Sequence, residues 1–131
     1  MKNTLKLFVI FYLLLQNSSY SQQMIQSITD VYKLKENEAS FINKPLKDLL
    51  KELKPEIKTV LVMRNDNFFY FKFTERDTEE SIEDRISLFV YVKDRIYWNW
   101  EQRPKGRETN WTKEDAEKYG NMIVTRISIV Y

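Results

Sequence analysis

The sequence predicts an α+β domain in which short helices pack on one face of a mainly antiparallel sheet of about five strands. Three observations carry that reading. Leucines recur at helical spacing between Pro45 and Pro55; the apolar period then changes to strand-like alternation for most of the remaining chain; and aromatics reach 15% against two glycines and three prolines. That last balance belongs to a packed domain rather than a linker or tail.

The chain opens with a different kind of segment. Met1 to Lys6 carries two positive charges and no acid, and Leu7 to Leu15 is an unbroken apolar run. A run this short fits the core of a secretory signal peptide and falls well below the roughly 20 residues a membrane-spanning helix needs. Ser19 and Ser21 place small side chains at the third and first positions before a cut after Ser21. The expected organisation is a signal peptide at residues 1–21 and a single α+β domain at 22–131, exported to the periplasm or the medium, with no stable membrane insertion after cleavage. With no cysteine in the chain, a lipid-anchored form has no residue to carry the acyl group.

Within the domain, Met24, Ile25, Ile28, Val31 and Tyr32 fall at a helix-like spacing. Leu46, Leu49, Leu50 and Leu53 follow at i, i+3, i+4 and i+7, opposite a charged face, with Pro45 in the first turn and Pro55 ending the helix. Ile57 to Arg64 reads as a strand, Asn65-Asp66-Asn67 as a turn, and Phe68 to Phe73 as the second arm of a hairpin. In that arm Phe69, Phe71 and Phe73 share one face, and Phe68, Tyr70 and Lys72 share the other.

An acidic connection then leads to the alternating strand Ile86–Lys93. Asp94 and Arg95 read as a tight link into a further strand over Ile96–Glu101, followed by a polar loop from Arg103 to Arg107. Thr112 with Asp115 three residues on is an acidic variant of the capping box, Trp111 and Ala116 stand where a hydrophobic staple forms, and Gly120 is the expected left-handed stop. The last strand, Met122–Tyr131, puts Ile123, Thr125, Ile127 and Ile129 on one side and Val124, Arg126 and Ser128 on the other.

Composition bounds the chemistry. Lys2 and Lys6 are the charges of the signal segment; without them the 21 basic residues drop to equal the 19 acidic ones. A formally neutral domain gives no electrostatic reason to expect nucleic acid or an anionic membrane as partner. No histidine and no cysteine leave out the commonest general base, thiol nucleophiles and the usual zinc ligands, and neither Gly106 nor Gly120 has a partner at phosphate-loop spacing. No cofactor and no metal site is expected.

Two sets of residues remain as candidates. Glu75, Asp77, Glu79, Glu80, Glu83 and Asp84 are the densest carboxylates, but their spacing does not match a calcium loop and the glycine of its turn is missing, so the expectation is a solvated connection. The aromatic set is the stronger one. Trp98 and Trp100, two apart on the expected strand, face the same way, and Trp111 approaches them across the loop. Facing out, with Tyr97 facing in, they form a platform for sugar rings or a hot spot for a protein; facing in, they are core. Arg103, Lys105 and Arg107 are either an anion contact or a solubilising loop.

The stretch Phe41 to Leu50, with the β-rich half, short helix and closing strand that follow it, resembles small exported bacterial proteins of unknown function. The resemblance spans most of the domain and implies an exported α+β domain, with no site residues to carry over. The expected function is a non-enzymatic binding module whose partner is an envelope or secreted protein. A glycan-binding domain using Trp98, Trp100 and Trp111 is the alternative, and a carboxylate-based hydrolase the second alternative.

Overall fold

The computed structural model describes residues 22–75 and 85–131, so the expected signal peptide and the acids from Asp77 to Asp84 lie outside the described residues. Ile25 starts the fold in extended backbone, giving its N–H to Glu52 and accepting from Lys54 at 2.9 Å each. This tie to the chain after the leucine helix stops the helical spacing of residues 24–34 from being realised throughout. Winding begins at Ile28–Val31 as a 3-10 turn and continues as α1, Tyr32–Glu36. The leucine stripe folds as α2, Leu46–Leu50, with Pro45 in extended geometry at its cap. Leu46, Leu49 and Leu53 are all buried.

Among the described residues the sheet has four strands rather than about five, all antiparallel, in the order β1 (Thr59–Leu61), β2 (Phe68–Lys72), β3 (Ser87–Val92) and β4 (Val124–Val130). The missing strand is the one expected at Ile96–Glu101. Both neighbours of β3 are already taken, by β2 and β4, and the outer edge of β1 is bonded by Asn110 and Thr109, so residues 96–101 find no ladder to join. Asn65, at φ 71°, makes the left-handed turn between β1 and β2 that asparagine tolerates.

One face of the sheet is core. Val60, Phe69, Phe71, Leu88, Val90, Val124 and Ile127 have no exposed surface on it. Val124 joins Ile127 there against the simple alternation of the last strand. Val92 pairs with Val124 but Tyr91 pairs with Arg126, so Thr125 is a bulge and the residues before it change sides. The final helix, α3 (Lys113–Tyr119), carries the capping box read at Thr112 and Asp115. Its Tyr119 ring packs edge-on against Phe69 of this face, 5.5 Å between centroids.

Gly120 does not stop α3 in the left-handed region. Its φ is −60°, an ordinary helical value. Space is what requires glycine here: a Cβ would lie 2.5 Å from the Ala116 carbonyl oxygen and 3.3 Å from Lys47 Cβ, where α2 passes close enough for Lys47 N–H to bond the Gly120 carbonyl at 2.8 Å. Gly120→Ala calls for no unusual φ, but its Cβ would press on the Ala116 carbonyl of α3 as well as on α2. Here it is expected to cost about 1–3 kcal/mol by overpacking the α2–α3 contact. Urea denaturation checks this, and an unchanged or raised midpoint contradicts it.

Candidate functional site

Of the four aromatics singled out in the sequence, Trp98 is buried, Tyr97 is exposed, and Trp100 and Trp111 are half-buried against the core. Without a strand over 96–101 the chain still alternates locally, but with the opposite sense to the platform: Trp98 is 8% exposed and Tyr97 is 73% exposed. Trp98 stacks on Tyr119 at 5.5 Å and on Trp111 at 6.4 Å, and Trp111 in turn packs edge-on against Phe71 at 5.0 Å. Trp98 and Trp111 are thus brought together, as expected, but as a buttress of the core. Trp98, Trp100 and Trp111 therefore do not share one exposed platform.

The buttress is held by a residue expected in a solvated loop. Arg103 lays its guanidinium over the Trp98 ring, 3.4 Å from the centroid, and grips both carboxylate oxygens of Asp115, the capping residue of α3. Trp98 Nε1 donates to the Glu108 carbonyl at 3.1 Å, and Tyr119 Oη donates to the Tyr97 carbonyl at 2.7 Å. These bonds set the path of the chain so that Trp98 points in while Tyr97 and Trp100 line a cleft at the surface.

The second face of the sheet carries a cluster of half-buried aromatic rings. Phe68 stands opposite Tyr91, and Tyr70 opposite Phe89. Their rings meet across the strands: 5.2 Å for Phe68 and Tyr91, 4.5 Å for Tyr70 and Phe89, and 5.8 Å on the Phe68–Phe89 diagonal. Lys72 and Arg126 lie over the outer rings, Tyr70 and Tyr91. The helices pack on the opposite face, and beside the rings lie Leu61 and Met63, 38% and 65% exposed. Leu61 and Met63, with Phe68, Tyr70, Phe89 and Trp100, line a groove of about 580 Å³, and Tyr91 extends the ring cluster beyond it.

No family model, curated protein or solved structure matches this chain. The site is therefore read from its own chemistry.

Apolar surface gathered in one concave place marks a binding face, whereas scattered apolar residues do not. The sheet edges offer less. At β4 the Ile127 N–H and carbonyl are taken by Glu38 and Lys35 at 2.8 and 2.9 Å, and Val124 is bonded by Asn43 and Lys44. At β1, Val60 N–H is taken by Thr109. Strand addition at these positions would have to break existing bonds. Among the described residues no three carboxylates gather as metal ligands, and no helix is long and apolar enough to cross a membrane.

Burial works against the charge of Asp115, but hydrogen bonds from Arg103 and Thr112, with the guanidinium charge, outweigh it and hold its pKa below the ordinary carboxylate value. A depressed folded-state pKa gives stability that is present above the unfolded value, about 3.9, and is lost as pH falls through the lower folded one. Arg103→Met, which leaves the buried carboxylate without its cation, is expected to cost about 3 kcal/mol at neutral pH. It should also flatten the acid limb of a stability–pH profile, leaving the slope from Glu38, whose pKa is lowered by its bonds to Lys35 and the Ile127 N–H, and from Asp30, whose pKa is lowered by Lys33 and its bonds to Ser27. Thermal unfolding between pH 2 and 7 checks both, and an acid limb identical to the parent's contradicts the role given to the pair.

Proposed function

We propose that this protein is an exported, non-enzymatic interaction module that binds an envelope or secreted protein through the outer face of its sheet. The observation that carries the reading is the four-ring cluster of Phe68, Tyr70, Phe89 and Tyr91 running into the apolar groove beside Met63 and Trp100. Tyrosine, tryptophan, methionine and arginine are the residues enriched at the centres of protein interfaces, and rigid rings lose little conformational entropy when covered. Export is supported by the basic start, short apolar run and Ser-x-Ser sequence of residues 1–21. A protein partner is favoured over a glycan because Trp98 is spent on the core stack and the half-buried Trp111 opens on a different cleft, beside Leu50, Leu53 and Ile57, so the three tryptophans do not present one platform.

Capture from envelope and culture fractions, run in parallel with the parent and two variants, tests this reading. Leu61→Ser with Met63→Ser changes exposed side chains and should leave stability within about 0.5 kcal/mol. Phe89→Ser removes the centre of the ring cluster and is checked separately for folding. One stoichiometric partner held by the parent and lost by both variants is expected. Recovery of no partner, or of one held equally by the Leu61/Met63 variant, contradicts the reading.

A further inference from the structure

The groove does not end at Trp100. On the other side of Val62, Met63, Arg64 and Trp100, which belong to both, lies a second cleft of about 340 Å³ with Arg95, Tyr97 and Lys118 on its far wall. Among the described residues its charge is one-sided: Arg64, Arg95 and Lys118 line it, no carboxylate does, and none of the three takes part in an ion pair. All three are exposed. Arg95 and Lys118 are held over the Tyr97 and Tyr119 rings, at 5.5 and 5.3 Å, so they are placed by aromatic faces rather than by counter-ions. Asp66, Asp94 and Glu101 adjoin lining residues in sequence but are not among the side chains that line the cleft, so the wall itself presents three cations to whatever enters it.

We propose that the groove and the Arg64–Arg95–Lys118 cleft are two halves of one site, whose occupant is a protein segment with apolar side chains next to a carboxylate. The inference rests on the outer face being the docking surface, and it names what docks there. The apolar half covers the partner's aliphatic or aromatic side chains, and the cationic half takes its Asp, Glu or C-terminal carboxylate one or two residues away. Asn65 and Asn99, both exposed in the cleft, offer amides that donate and accept at once, which suits a polypeptide backbone and has no counterpart in a hydrocarbon chain. Charge complementarity of this kind adds specificity and association rate more than raw affinity, and screening by salt weakens it.

Selection of random seven-residue peptides on the purified protein, followed by affinity measurement of the enriched peptides, tests the proposal. Enrichment of peptides pairing apolar side chains with an acid is expected. Arg64→Gln, Arg95→Gln and Lys118→Gln together should weaken those peptides roughly tenfold, from three exposed charge pairs, and should leave their neutral amide analogues unchanged. Enrichment of apolar peptides without acids, or acid-bearing peptides unaffected by the triple variant, overturns this inference while the outer face stands as the docking surface. No enrichment, or enrichment indifferent to Met63→Ser, overturns the docking surface itself. Sedimentation with phosphatidylglycerol vesicles, lost in the triple variant, would assign the cations to a membrane instead and also overturn the proposal.

Discussion

Everything outside the core of this fold depends on the pairing register of β2 with β3. Alternation sends Phe69, Phe71 and Phe73 into the core and Phe68, Tyr70 and Lys72 to the other side, and the antiparallel pairing sets Tyr91 and Phe89 opposite Phe68 and Tyr70. A slip of one residue would exchange the two faces of the strand, so the buried phenylalanines lock the register that assembles the outer cluster. The core and the candidate site are thus two consequences of one alternation.

The helical side of the sheet serves that arrangement indirectly. Trp98 stacks on Trp111 and Tyr119, which pack edge-on against Phe69 and Phe71, and it is clamped by Arg103 reaching to Asp115. The clamp fixes where the chain emerges after Ile96, and so where Tyr97 and Trp100 stand beside the end of β1. Its guanidinium has an aromatic face on one side and a carboxylate fork beyond it, a placement for which a lysine would not substitute.

Features decided within a few residues were legible in the sequence: the leucine face of α2, the Thr112–Asp115 capping box, the Asn65 turn and the two-faced alternation of Phe68 to Phe73. Features decided by distant partners were not. Residues 96–101 have strand composition but no free ladder; Thr125 bulges because of the β3 pairing; Gly120 is required by the passage of Lys47; and Arg103 leaves its loop because Trp98 and Asp115 wait for it. The site was half legible. Aromatics on both faces of Phe68–Phe73 were visible, and a second aromatic face on an otherwise complete strand is a signal worth following. The approach of Arg64, Arg95 and Lys118 to one cleft, from three separate segments, exists only in the folded chain.

Whether the outer face is occupied where the protein works is the most direct question. Hydroxyl-radical footprinting answers it by comparing the protein in intact cells and their medium with the purified protein. Met63 and Tyr97, 65% and 73% exposed and so comparable to Tyr131 at 71%, should label readily when purified. Protection of Met63, Tyr97 and Trp100 in the native setting, with Tyr131 still labelled, is the expected result. Equal labelling of all four residues in both settings would contradict the assignment of this face to a partner.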